Sequence, residues 1–78
     1  MKVRTAGREF NGTPRDIIEH MQLKGFVPGS LDDYLAFLTE KNQGVGGHVV
    51  AAEDVDEHCL NVINAAAEVG LLEVEESS

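Results

Sequence analysis

The stretch that decides the fold is DVDEHCLNVINAAAEVGLLEV, residues 54–74. Asp54 can accept a hydrogen bond from the amide of Glu57, and the carboxylate of Glu57 can reach back to the backbone of Asp54, which predicts a capping box. A helix of about 14 residues follows, because apolar residues recur at spacings of three and four. Its expected buried stripe consists of Cys59, Leu60, Val62, Ile63, Ala66, Ala67 and Val69.

A short strand is predicted to follow this helix. Gly70 can take the left-handed conformation that ends a helix, with Leu71 packing back on the last turn. Residues 71–74 then form the strand, with Leu72 and Val74 on one face.

Residues 1–12 predict a β-hairpin with a two-residue turn at residues 6–7. The resulting register places Val3 opposite Phe10 and Arg4 opposite Glu9. Ala6 is a poor residue for the positive φ that this turn needs, so a longer turn with a bulge at Gly7 stays open as an alternative.

A first helix begins with Thr13 as N-cap and Pro14 at its first position, and it should run to about Lys24. Gly25 is expected to close it, with Phe26 returning to the core. Its predicted buried edge is Ile17, Ile18 and Met21.

A second helix begins at the cap Ser30, with Asp33 at its third position, and should reach residue 41 or 42. Its predicted stripe is Leu31, Tyr34, Leu35 and Leu38. Residues 42–47 are interpreted as a flexible connector, because their glycines lack the lysine and serine or threonine of a phosphate-binding loop. Residues 48–51 are a further, marginal candidate for a strand.

These elements predict a single small α+β domain over residues 1–78, with residues 75–78 as a frayed tail. We expect the C-terminal strand to join the hairpin as a third antiparallel strand, because two strands alone are only marginally stable. The three strands would form a small sheet packed on the three helices.

The bulk composition favours a cytoplasmic protein without a membrane segment. The single cysteine allows no intramolecular disulfide, which is typical of a reducing compartment. The opening MKVRT lacks the apolar core of a signal peptide, and no apolar run approaches the roughly 18 residues of a membrane span.

Charge is unevenly distributed along the chain, whose net charge is −8. Residues 1–27 hold five Lys and Arg against three acids, whereas residues 28–78 hold only Lys41 against 11 acids. A phosphate backbone would be repelled by most of this surface, so nucleic-acid binding would have to use the N-terminal third alone.

Residues capable of chemistry are few and are better explained by structure. Cys59 belongs to the apolar stripe, and the acids around it would raise the pKa of its thiol. His58 is expected to be solvated, and neither His20 nor His48 has a partner at metal-binding spacing. We therefore predict no catalytic residue, cofactor or metal, and an enzyme or metal protein built on His20, His48 and Cys59 is the least favoured class.

Two local resemblances accompany this interpretation. The helix ending in GLLEV resembles the third helix and first wing strand of winged-helix domains over about 20 residues. It departs from that family by presenting Asp56, Glu57 and Glu68 where a DNA-reading helix carries basic residues. The opening KVRTAGREFNGTPRDII resembles the start of a group of small bacterial proteins of unknown function, a likeness that implies no activity.

The first hypothesis for function is a small acidic, non-catalytic module for protein interaction or regulation. Its contact surface would be either the open edge of the sheet or an acidic face. The acidic candidates are Glu53, Asp56, Glu57, Glu68, Glu73, Glu75 and Glu76. The alternative is a winged-helix-like module associated with nucleic acid through Arg4, Arg8, Arg15 and Lys24.

Overall fold

A computed structural model describes residues 1–75 and confirms the predicted α+β fold. The elements in chain order are β1 (Lys2–Thr5), β2 (Arg8–Asn11), α1 (Pro14–Lys24), α2 (Leu31–Gly44), α3 (Val55–Glu68) and β3 (Glu73–Glu75). The strands form one antiparallel sheet in the order β2-β1-β3, so the last strand joins the hairpin as expected. Within these residues no helix is long and apolar enough to cross a membrane.

The hairpin has the predicted two-residue turn and the predicted register. Ala6 and Gly7 have φ angles of 52° and 75°, because a tight hairpin turn of this kind needs positive φ at both central residues. Val3 lies opposite Phe10, as expected, and the bulged alternative does not occur.

The outer face of the sheet carries a network of ion pairs. The Lys2 ammonium lies 3.1 Å from Glu9 on one neighbouring strand and 3.5 Å from Glu75 on the other. Arg4 bridges the same two acids at 3.7 and 3.1 Å. Glu75 is therefore part of β3, and the prediction of a frayed tail from residue 75 was wrong at that residue. Residues 76–78 lie outside the described part of the chain.

The core lies between the inner face of the sheet and the three helices. α3 contacts both other helices and β3, which agrees with the organising role expected from its apolar stripe. The largest fully buried side chains are Val3, Ile17, Ile18, Leu35, Asn42, Cys59, Val62 and Ile63.

The two ends of α3 follow the sequence signals with differences of detail. Asp54 accepts the Glu57 amide at 3.3 Å, but Glu57 returns no bond, so the expected capping box is incomplete. Complete capping boxes start α1 and α2 instead. Gly70 has φ 78° as predicted, and Leu71 donates its N–H to the carbonyl of Ala66.

The strand after Gly70 begins at Glu73 rather than at Leu71. Leu71 is 44% exposed, whereas Leu72 is buried. The expected alternation of faces is therefore correct, although the chain needs two more residues to reach its pairing position on β1.

The connection from α2 to α3 is more ordered than the sequence suggested. α2 continues to Gly44, which places the buried Asn42 in its last turn, where its side-chain amide donates to the Leu38 carbonyl at 2.9 Å. Residues 48–51 form no strand. They are held instead by the buried Val49 side chain and by a hydrogen bond from Asn61 to the chain at residue 50.

Gly70 and Gly44 both have room for a side chain, but they differ in backbone conformation. A Cβ at either Gly70 or Gly44 would meet no atom within 4 Å, but only Gly70 has a positive φ. We expect Gly70→Ala to destabilise the protein by about 1–2 kcal/mol and Gly44→Ala to stabilise it by about 0.5–1 kcal/mol. Urea unfolding of both variants measures this; equal effects would contradict the left-handed end of α3.

Candidate functional site

The candidate site is an open groove between β2 and the C-terminal half of α1, which we call the β2–α1 groove. All four residues of β2 line it, together with His20, Leu23, Lys24 and Phe26. Its volume is about 1060 Å³, the largest among the pockets described for residues 1–75. The sheet edge forms one wall and the helix forms the other.

Phe26 is the most unusual residue of this groove. Its φ of 53° is left-handed, a conformation that costs a non-glycine residue about 1–2 kcal/mol. It takes the position after the helix cap: its own N–H donates to the Leu23 carbonyl, and the Val27 N–H donates to the Gln22 carbonyl, both at 3.2 Å. The adjacent Gly25 has φ −86°, so the glycine does not take the strained position that it could have taken at lower cost.

The Phe26 side chain is also 91% exposed, so the prediction that it returns to the core was wrong. The residue three positions earlier, Leu23, is 71% exposed. These two are the most exposed large apolar side chains of the described chain, and both line the β2–α1 groove. We call them the apolar pair. Burying them in a partner would remove apolar surface from water that folding alone leaves exposed.

Basic side chains border the apolar pair. Arg8 lies on the inner face of β2, on the same side as Phe10, and its guanidinium makes a weak 3.5 Å hydrogen bond to the Lys24 carbonyl. That bond satisfies one of the free carbonyls at the end of α1, and the Lys24 side chain suits the negative end of the helix dipole. The groove therefore holds two cations on a protein of net charge −8, and the acid of its lining, Glu9, is paired with Lys2.

The four basic residues of the nucleic-acid hypothesis lie in three places. Arg8 and Lys24 are together in the β2–α1 groove. Arg4 is on the opposite face of the sheet with Glu9 and Glu75. Arg15 lies in the first turn of α1 and bonds Glu19 at 3.2 Å, a contact that raises the pKa of Arg15.

The acidic residues predicted to form a partner surface are likewise divided. Glu53, Asp56 and Glu57 surround the start of α3, and Glu68 is in its last turn, about 16 Å farther along the axis. Glu73 and Glu75 lie in β3, where Glu75 pairs with the bases of β1. The predicted acidic residues therefore lie at the start of α3, at its end and in β3, and Glu76 lies outside the described part of the chain.

The remaining candidates for chemistry are isolated. Cys59 is fully buried, as predicted; burial, followed by the nearby Asp56, raises the pKa of its thiol to about 11. His20 lines the groove and His48 is exposed, while His58 is half-buried rather than fully solvated. Within residues 1–75 no group of three His, Cys, Asp or Glu side chains could hold a metal ion.

A smaller cavity of about 250 Å³ lies between the helices and the sheet, with Asn42 in its wall. The Asn42 amide oxygen has no hydrogen-bond partner within the described residues, although the side chain is 99% buried. A buried acceptor of this kind costs about 1–3 kcal/mol. Sequence reasoning missed this residue because an asparagine before a glycine-rich segment is typical of a loop.

The chain matches no protein-family model, no curated protein and no solved structure. The β2–α1 groove is therefore the feature from which a function is inferred.

Phe26→Gly should stabilise the protein by about 0.5–1 kcal/mol, because relief of the left-handed strain exceeds the added freedom of the unfolded chain. Leu23→Gly is the matched control, since it removes an exposed side chain from the same turn at helical φ, and it should destabilise by about 1 kcal/mol. Chemical denaturation measures both. A destabilised Phe26→Gly variant would mean that Phe26 is not strained.

Cys59 should react very slowly with an aromatic disulfide reagent in native buffer. At pH 8 a thiol with a pKa of about 11 is ionised in roughly one molecule in a thousand, and the sulfur is also enclosed. The reaction, followed by absorbance, should accelerate strongly when urea unfolds the chain. Rapid modification of the native protein would contradict the core position of Cys59.

Proposed function

We propose that this chain is a small acidic protein-interaction module without catalytic activity, and that it binds another protein in the β2–α1 groove. The observation that carries the proposal is Phe26, an aromatic residue that is 91% exposed while its backbone is held at φ 53°. Strained backbone and exposed aromatic surface are both unfavourable for folding, and such features cluster at binding sites.

The surroundings of Phe26 are those of a contact site. Leu23 extends the apolar surface, and Arg8 and Lys24 lie beside it. Aromatic and arginine side chains are the residue types that contribute most to protein–protein binding, particularly where an apolar centre is bordered by polar groups. The groove provides this combination between β2 and the end of α1.

The acidic regions give less support to a contact surface. Their members lie in three places, and one of them, Glu75, already neutralises the bases of β1. Net negative charge of this size keeps a small protein soluble without any partner.

Nucleic acid is the less favoured ligand for the same groove. Only two of the four candidate bases border it, and each further phosphate would meet the acidic remainder of the surface. A cytoplasmic location is part of the proposal, supported by the single buried thiol of Cys59 in a chain that can form no internal disulfide.

The double variant L23S/F26S tests the proposal, with V50S as its matched control because Val50 is an exposed apolar residue outside the groove. Peptides selected from a phage-displayed random library on the wild-type chain should bind L23S/F26S at least about tenfold more weakly and V50S equally well. Biolayer interferometry of each purified peptide gives the affinities. Selected peptides that bind all three chains equally, or a library that yields no binder, would overturn the proposal.

A further inference from the structure

We propose that the β2–α1 groove binds an extended segment of the partner as a fourth strand beside β2, and that this segment carries an apolar residue followed two positions later by an acidic one. The inference rests on the proposed function of the same groove and names the kind of partner that it takes. It follows from the free backbone groups of β2, from the faces of its side chains and from the charge of the groove.

The free edge of β2 presents unpaired backbone groups. Gly12 donates its N–H to the Met1 carbonyl at 3.1 Å, and in an antiparallel hairpin such bonded pairs alternate with non-bonded pairs. By this alternation Phe10 and Arg8 bond to β1, whereas the N–H and C=O groups of Glu9 and Asn11 point away from it. Within residues 1–75 neither of these two N–H groups bonds another part of the chain. A strand added at this edge would satisfy four backbone groups.

The side chains of β2 define what an added strand must present. Phe10 and Arg8 face the helices, while Glu9 lies on the outer face with Lys2. A residue placed opposite Phe10 would therefore point inward to the floor of the groove, beside the apolar pair. The inward residue opposite Arg8 would lie near two cations, those of Arg8 and Lys24.

These positions give an order of residues. Antiparallel pairing is the more stable arrangement, and every strand pair of this sheet already uses it. An antiparallel segment meets Phe10 before it meets Arg8, so its inward residues are first apolar and then, two positions later, acidic. The residue between them lies opposite Glu9 and points to the outer face of the sheet, so it does not have to be acidic.

The other edge of the sheet does not meet these requirements. β3 has only three residues, two of them acids, so it would repel an acidic segment. A second copy of this chain fits β2 poorly as well: pairing Phe10 with Phe10 would place Arg8 opposite Gly12, with no acid to meet it. Charge complementarity therefore favours an acidic, apolar segment of a different protein.

The capped peptide acetyl-TVTLTET-amide is a direct probe, because its inward side chains are valine, leucine and glutamate. Titrated into the ¹⁵N-labelled full chain, it should shift the amide signals of Glu9 and Asn11 and slow their hydrogen exchange. The Val74 amide, at the opposite edge of the sheet, should not respond. Replacing the glutamate by lysine, or methylating the peptide nitrogens that face β2, should weaken binding by at least about tenfold.

A matched pair of protein variants tests the charge. K24Q and R15Q each remove one exposed cation from α1, but only Lys24 borders the groove. K24Q should weaken binding of the peptide severalfold, and R15Q should leave it unchanged. Equal effects of the two substitutions, or equal binding of the glutamate and lysine peptides, would overturn the acidic specificity.

Failure of this inference is distinguishable from failure of the proposed function. If library-selected peptides depend on the apolar pair but leave the Glu9 and Asn11 amides unprotected, the groove binds proteins without strand addition and only this inference is wrong. If those two amides become protected at high protein concentration without any peptide, β2 pairs with a second copy and the acidic partner is wrong. If binding of every peptide is indifferent to L23S/F26S, both proposals are wrong.

Discussion

The pairing of β1 with β3 is the contact on which the rest of the structure depends. It joins the two ends of the described chain and turns a two-stranded hairpin, which alone is marginally stable, into a sheet with a central strand. Val3, in that central strand, is fully buried between Phe10 and Val74. Because β3 follows α3 directly, the same pairing fixes the helix that contacts both other helices.

The strand order also determines which charged side chains are paired on the sheet. The bases of β1 lie between Glu9 on one side and Glu75 on the other, and the bond to Glu9 raises the pKa of Lys2. Much of the positive charge of the N-terminal third is therefore neutralised on the outer face. Arg8 does not take part in this pairing, because side chains alternate between the two faces along β2 and that of Arg8 points inward. Its position beside Lys24 leaves a small basic region on a protein that is acidic elsewhere.

Signals contained within a few residues predicted structure well. The Ala6-Gly7 turn gave the correct hairpin register, and the caps Thr13 and Ser30 gave the correct helix starts, because each depends on bonds between residues close in sequence. The single sheet was also predictable, since the hairpin needed a third strand. The predictions that were wrong concern residues whose local sequence is compatible with two structures, of which tertiary packing favours one.

The candidate site was the least predictable part for that reason. The open edge of the sheet was predicted as a contact surface, but the apolar pair was not. The residues around a phenylalanine in the sequence do not show whether its side chain will be exposed or buried. Likewise, Asn42 has the sequence context of a loop, yet two further helical residues carry it into the core. The residues next to Phe26 and Asn42 in the sequence do not determine whether these side chains are exposed or buried. That depends on which surfaces the other helices and strands leave uncovered.

The end of α1 is the clearest case of such a choice. If Gly25 took the left-handed position, the helix would end one residue earlier and Phe26 could turn toward the core. The helix instead continues through Lys24, whose carbonyl accepts the bond from Arg8, and the left-handed position passes to Phe26. In this form of the helix end the aromatic side chain is exposed. The left-handed backbone of Phe26 and its place in the lining of the groove therefore both follow from which of two adjacent residues takes the position after the helix.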